Sequence, residues 1–306
     1  MLPVLHVLTG CTAVGKTELA LRWAEANNAE IVSCDSLLFY RGMNIGTAKP
    51  APAELERVPH HLIDICAITD QMDVTRYVRL AQEAVAAIAA RGRQVLVTGG
   101  SGFYLKAFFG PVADDVDVPL ELRTELRLQL ATHGLEPLVE ELQALNPEGL
   151  GELDIQNPRR VLRALERCRA TGRTLAQLQA DFARQPGPFA GHEVRLCELG
   201  RGRADLEDRI QRRVAAMLAA GLVREVRTLL KMGLRENPSA AGAIGYRETI
   251  SFLDGELAEK DLPALIVKNT RALVKKQRTW FKTQLPLHKP VDAGSVDERA
   301  LFAPKI

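Results

Sequence analysis

The chain has 306 residues, 46% hydrophobic and 25% charged, with a net charge of only +2, which suits a folded chain of one large or two modest domains. No apolar run approaches the roughly 18 residues of a membrane span, and no basic region precedes the N-terminal apolar run. A membrane or secreted protein is therefore argued against, and the cytoplasm is the expected location. Five cysteines, at 11, 34, 66, 168 and 197, stand far apart with no C-x-x-C pair, which speaks against a zinc site and a disulfide framework.

The first predicted element is "LPVLHVL", a short apolar run suited to a buried parallel strand. It leads into "TGCTAVGKTELA", in which Gly10, Gly15, Lys16 and Thr17 satisfy G-x-x-x-x-G-K-[ST]. Such glycines let consecutive backbone N–H groups, from Gly10 through Cys11, Thr12, Ala13, Val14 and Gly15, turn inward around an anion. The lysine reaches the outer phosphates and the Thr17 hydroxyl can hold Mg²⁺. "TELALRWAEA" then supplies a helix whose positive N-terminal end adds to the cradle.

"AEIVSCDS" predicts a second strand ending at Asp35 and Ser36, "RYVRLAQEAVAAIAARG" a helix closed by glycine, and "RQVLVTGGSGFYLKAFF" a strand to Thr98, a glycine turn and another helix. Strands alternating with helices indicate a parallel α/β sheet, whose ligands bind beyond the carboxyl ends of the strands. Asp35, Ser36, Gly99, Gly100 and Ser101 are expected there, beside the phosphate loop. The pattern then changes to helices only, so the expected organisation is a first core segment at 1–116, a helical insertion at 117–190, and a return to the core with C-terminal helices at 191–306. Within the insertion Asn157 and Pro158 form a good N-cap and first-turn pair. The helix they open carries Arg159, Arg160, Arg163 and Arg167 at three- and four-residue offsets.

The basic excess lies late in the chain: residues 1–120 hold 10 Lys/Arg against 13 Asp/Glu, and the remainder holds 30 against 25. Between 262 and 291 there are seven lysines and arginines and no acid. Drawn as a helix over 265–282, Lys268, Arg271, Lys275, Arg278 and Lys282 span an arc of about 80°, with Ile266, Val267, Leu273, Val274, Trp280 and Phe281 on the opposite side. A single-sign stripe favours a polyphosphate backbone, with nucleic acid as the foremost partner.

The ordered set "GCTAVGKT", "IVSCDSLLFYRGMNIGTAKP", "HHLIDI", "VLVTGGSGFYLKA", "NPRRVLRALE", "RIQRRVAAMLAAGLVREV", "AIGYRE", "FLDGE" and "NTRALVKKQRTWFK" runs nearly end to end and resembles the bacterial tRNA dimethylallyltransferases, or tRNA isopentenyltransferases. The resemblance implies a kinase-like α/β core with a helical insertion. It also implies Mg²⁺ and transfer of a dimethylallyl group from dimethylallyl diphosphate to N6 of adenine 37, beside the anticodon in the tRNA anticodon stem-loop. The phosphate in the loop is then a leaving group. Loop N–H groups, Lys16 and Mg²⁺ at Thr17 stabilise its growing charge, and Asp35 is the candidate base for the amine proton.

Further roles follow from the resemblance alone. Ser101, where the family usually has threonine, is a contact near the base or its ribose, and Arg209 and Arg213 face the diphosphate. The implied tRNA contacts are Asp35, Ser36, Leu37 and Leu38; Arg123; Asn157, Pro158, Arg159, Arg160, Val161 and Arg163. Also implied are Ala241, Gly242, Ala243, Ile244 and Gly245, and Lys275, Lys276, Gln277, Arg278, Thr279, Trp280, Phe281 and Lys282. The chain departs from the family in having Leu38 where glutamine is common, so no glutamine amide reaches the base from there. Cys11 replaces a proline, Asn44 an aspartate and Gly242 a longer polar residue. The expected assembly is a monomer without membrane contact. The alternatives are a small-molecule P-loop kinase, an adenylate isopentenyltransferase acting on free AMP-type acceptors, and a non-enzymatic RNA-binding module. The basic stripe and the long insertion weigh against the kinase. The last would leave Lys16, Thr17 and Asp35 without work.

Overall fold

The computed structural model describes residues 2–114 and 116–302. It divides into two compact units, Met1–Val112 with Gly187–Ile306, and Ala113–Pro186. The second lies a few residues ahead of the 117–190 read from the change in pattern.

The larger unit is built on strands β1 (Val4–Gly10), β2 (Ala29–Ser33), β3 (His60–His61), β4 (Gln94–Thr98), β5 (Glu193–Gly200) and β6 (Val291–Asp292). They form one sheet in the order β3-β2-β4-β1-β5-β6, with every pair parallel. Strands buried on both faces read as continuous apolar runs, and the period of two sorts them here. Leu5, Val7, Val32, Val95 and Val97 point into one core, and Leu8, Ile31, Leu96, Cys197 and Leu199 into the other. Each such side chain fully withdrawn from water contributes about 1.5–3 kcal/mol.

The first part of the unit carries α1 (Lys16–Ala26), α2 (Pro52–Arg57), α3 (Val74–Ala90) and α4 (Gly102–Lys106). α1 packs Leu19, Leu21 and Trp23 into the second core. α3 starts at Asp73, whose side chain caps Arg76 N, and buries Tyr77, Ala81, Val85 and Ile88 in the first. β2 stops at Ser33, so Asp35 and Ser36 lie in the turn beyond it rather than at the strand end predicted.

After the insertion come α9 (Arg203–Ala219), α10 (Leu222–Lys231), α11 (Pro238–Ala241), α12 (Tyr246–Leu253) and α13 (Leu262–Gln284). α13 extends the predicted 265–282 at both ends and packs against α9. It buries Ile266, Thr270, Val274 and Phe281 and leaves Lys268, Arg271, Lys275, Arg278 and Lys282 exposed, so both of its faces follow the spacing.

The smaller unit holds α5 (Leu120–His133), α6 (Glu136–Ala144), α7 (Pro158–Thr171) and α8 (Leu175–Arg184) around its own apolar core. α7 begins as predicted: Asn157 Oδ1 accepts from Arg159 N at 3.1 Å and Arg160 N at 3.3 Å, with Pro158 in the first turn. Its apolar face (Val161, Ala164, Leu165, Cys168) fills that core. No helix among the described residues is long and apolar enough to cross a membrane. The five cysteines are buried and form no disulfide.

Candidate active site

The loop from Gly10 to Thr17 leaves β1 where its buried neighbours force a turn. Gly10 (φ 147°) and Gly15 (φ 102°) take backbone conformations suited to glycine. Ala13 takes φ 63° without that freedom, and Arg209 Nε donates to its carbonyl at 2.8 Å. Arg201 Nε holds the next carbonyl, that of Val14, at 2.8 Å. The two guanidiniums thus pin the outward carbonyls of the loop. Lys16 Nζ donates to Gly10 O at 2.8 Å and Cys11 O at 3.0 Å. Desolvation lowers its pKa to about 8.

Two cavities meet at this loop. One, of about 550 Å³, is lined by Thr12, Ala13, Gly15, Lys16, Thr17, Asp35, Leu38, Arg209, Arg212 and Arg213 among others. The second, of about 610 Å³, has a more apolar wall that includes Phe103, Tyr104, Val214, Met217, Ile244, Ile266, Leu273, Trp280 and Phe281, together with Ser36, Leu37, Ser101 and Lys276. Thr12, Asp35, Thr47, Gly100, Arg213 and Gln277 line both and form the partition. Burial lowers the pKa of Arg213, and the Asp35 carboxylate opposes that shift. Burial raises the Tyr104 phenol to about 12, so that hydroxyl stays protonated.

Asp35 Oδ1 accepts from Leu37 N at 3.0 Å, and Ser101 Oγ accepts from Ser36 N at 2.9 Å. These bonds fix the turn after β2 against the turn after β4. The second turn needs its glycines: a Cβ on Gly102 would lie 2.5 Å from the Trp280 ring. The segment that carries Thr47 is held from below by one carboxylate. Glu225 accepts from Asn44 N at 3.1 Å, Ile45 N at 2.7 Å and Gly46 N at 3.2 Å, and from the Tyr246 hydroxyl at 2.6 Å. Thr47 O in turn accepts from Arg213 at 3.2 Å.

Thr17, Glu18, Asp35 and Glu54 put hard oxygen donors on the first cavity. No group of three or more His, Cys, Asp or Glu that could hold a metal stands among the described residues. One or two protein oxygens completed by substrate phosphate oxygens and water is the usual way Mg²⁺ is held. The residues present fit that arrangement rather than an all-protein cage.

Several expected contacts fall elsewhere. Gly10, Cys11 and Val14 shape the loop but do not line either cavity, and the side chains of Cys11 and Val14 are buried in the core. Val161 is wholly buried in the helical unit's core and offers no surface to a partner, because the helix period turns it inward. Gly245 is buried, and its N–H donates to Glu248 at 2.6 Å; Ala241 and Ala243 pack against the main core, and Gly242 is exposed.

The α13 stripe is not free of acid. Glu207, from α9, forms an ion pair with Arg271, and Arg278 donates to Arg201 O at 3.1 Å. Lys268, Lys275, Thr279 and Lys282 share the exposed side, whereas Lys276, Gln277, Trp280 and Phe281 line the second cavity.

In the helical unit, Asn157, Arg159, Arg160, Arg163 and Arg167 line a shallow hollow of about 460 Å³. Here too the signs are mixed: Arg160 lies 3.6 Å from Asp154, Arg163 lies 3.5 Å from Asp114, and Arg167 pairs with Asp114 as well. Arg123, on α5, is half-buried with its Nε unpartnered. The sequence did not single out Arg201 or Arg212. A signal for the latter was present, since it lies between Arg209 and Arg213 on a helix and can share part of their face.

Comparison with known proteins agrees across almost the whole chain. The family model described as IPP transferase matches residues 38–284. A tRNA dimethylallyltransferase of Opitutus terrae is 66% identical over 303 residues, covering 98% of this chain and 97% of that protein. Among solved structures, the tRNA Δ²-isopentenylpyrophosphate transferase of Staphylococcus epidermidis is 28% identical with a TM-score of 0.67, covering 98% of this chain and 96% of that one. The tRNA isopentenylpyrophosphate transferase of Bacillus halodurans is 32% identical with a TM-score of 0.64, covering 92% and 88%. With a phosphate loop, a carboxylate on the partition and relatives matched end to end, the chain belongs to the IPP transferase family, that of the tRNA dimethylallyltransferases.

Proposed function

We propose that this protein transfers a dimethylallyl group from dimethylallyl diphosphate to the N6 amine of adenine 37 in tRNA. The observation that carries this reading is the partition. A cationic phosphate cradle lies on one side, an apolar chamber on the other, and Asp35 lines both. A phosphoryl-transfer enzyme also needs an acceptor site, but a chamber walled by Phe103, Val214, Met217, Leu273 and Trp280 suits a prenyl chain rather than a polar phosphoryl acceptor.

In the proposed reaction the allylic C–O bond breaks and its electron pair leaves on the diphosphate. The loop N–H groups would receive that charge as it develops, together with Lys16, Arg209, Arg212 and Arg213, which line the first cavity. The adenine nitrogen forms the new C–N bond with its lone pair, and its proton passes to Asp35 Oδ2, since Oδ1 is held by Leu37 N. Mg²⁺ held at Thr17 would neutralise part of the diphosphate charge. The apolar wall of the second chamber keeps water from a carbocation-like carbon.

For the macromolecular substrate, the exposed lysines of α13 and the arginine-lined hollow of the helical unit are the proposed backbone contacts. The base itself is expected to be splayed from a single-stranded loop. The separating experiment is acceptor competition: tRNA and AMP offered together with dimethylallyl diphosphate, and prenylated product followed in each. Product in tRNA supports the reading; product confined to AMP would assign the chain to free-nucleotide chemistry.

A further inference from the structure

The side chain of Gln277 comes from α13 and makes two hydrogen bonds of opposite sense. Its Oε1 accepts from Thr12 N at 2.9 Å, and its Nε2 donates to Gly100 O at 3.0 Å. The amide is therefore fixed at both ends, one on the phosphate loop and one on the turn after β4. The Thr12 N–H belongs to the run of loop amides that can turn toward an anion, and here a protein oxygen occupies it.

The place of this bond within the loop decides its consequence. Lys16 is rooted in the first turn of α1, yet its ammonium reaches back to the carbonyls of Gly10 and Cys11. That ammonium marks the outer end of the cradle, the end away from α1, where a lysine of this motif meets the outermost phosphate. Gln277 stands beside it: a Cβ built on Gly100 would lie 2.9 Å from Gln277 Nε2 and 3.7 Å from Lys16 Nζ. The atom nearest that ammonium is the amide nitrogen, bonded to Gly100 O, while the Oε1 of the same amide takes up the Thr12 N–H and so withdraws a donor from any further phosphate.

We propose that Gln277 is a specificity-determining residue that closes the outer end of the phosphate cradle, so that the loop accepts a chain of two phosphates and rejects a chain of three. This rests on the reading of the loop as a diphosphate site. It would explain how a loop with a nucleotide-binding signature is kept from nucleoside triphosphates, which share the inner phosphates and differ in the one added at this end. The residue comes from the helix whose exposed side carries the basic stripe, so the closure is fixed in place by α13 and not by the loop itself.

The test is calorimetric titration of the full chain, in Mg²⁺, with inorganic pyrophosphate and with inorganic tripolyphosphate. Wild type is expected to bind pyrophosphate more tightly. Gln277→Ala vacates the Thr12 N–H and should narrow the preference by about tenfold, the equivalent of one hydrogen bond to a charged group. Gln277→Glu keeps an acceptor at the same reach but adds a negative charge beside the outer phosphate. It should weaken tripolyphosphate more than pyrophosphate and widen the preference. A side chain that merely braces the loop would change both affinities together and in the same direction in both variants, so an unmoved ratio overturns the proposal. Wild type that binds neither anion would instead overturn the diphosphate reading of the loop, and this inference with it.

Discussion

If α13 tracks an RNA backbone, its cations should be unequal, and the structure says which ones count. Arg271 is already paired with Glu207, and Arg278 is spent on Arg201 O near the phosphate loop. Lys268, Lys275 and Lys282 are exposed and stand seven residues apart, about 10 Å at the helical rise, far enough to meet separate phosphates. Each backbone contact contributes about 0.7–0.9 to the slope of log K against log salt. Changing all three lysines to Gln should therefore lower the slope of tRNA binding by roughly 2–2.7 and, at 0.1 M salt, weaken binding by on the order of 100- to 500-fold. Arg271→Gln alone should change the slope by much less than one unit, because its charge is already matched. The assay is filter or fluorescence titration of unmodified tRNA at four or more salt concentrations, with diphosphate affinity measured alongside as a control. An unchanged slope in the triple variant would mean that the stripe is only a solvated face, and the arginine-lined hollow of the helical unit would become the place to look.

Asp35→Asn should lower the single-turnover rate of transfer by about 10²–10⁴ while leaving tRNA and diphosphate binding near normal; a rate close to wild type would remove it as the base. Because Lys16 in the free protein has a pKa of about 8, it is largely charged below that pH and increasingly neutral above it. An anion favours the charged form, so diphosphate binding should take up a proton and weaken as pH rises above about 8. Calorimetry in buffers of different ionisation enthalpy checks this, and Lys16→Ala should bind more weakly with a flatter profile. Glu225→Ala strands three backbone donors of residues 44–46 and the Tyr246 hydroxyl. It should cost about 3 kcal/mol or more of stability, measured by urea unfolding; a loss under about 1 kcal/mol would show that water replaces the carboxylate.

The phosphate loop, the parallel sheet and the two faces of α13 were legible because each is written in local spacing: two glycines with four residues between them and a lysine directly after, apolar runs bounded by turns, and a three-four repeat of cations. What escaped is long-range. Glu207 and Arg271 are 64 residues apart, and Gln277 and Thr12 are 265 apart, so no window of sequence shows that one cation is neutralised or that an amide closes the loop. Val161 differs for a local reason: it stands in one stretch with Arg159 and Arg160, but the helix period of that segment turns it into the core. The two-residue strands β3 and β6 carry too little pattern to be seen at all, and their place is set by the neighbours they pair with.

The central claim is that the phosphate held by this loop is a leaving group and the acceptor is a tRNA adenine. Incubation of the chain with dimethylallyl diphosphate, Mg²⁺ and unmodified tRNA, followed by nucleoside mass analysis, tests it most directly. The account predicts N6-dimethylallyladenosine formed in equal amount to the inorganic diphosphate released, with added ATP left intact. Stoichiometric ATP consumption with no prenylated nucleoside would contradict it.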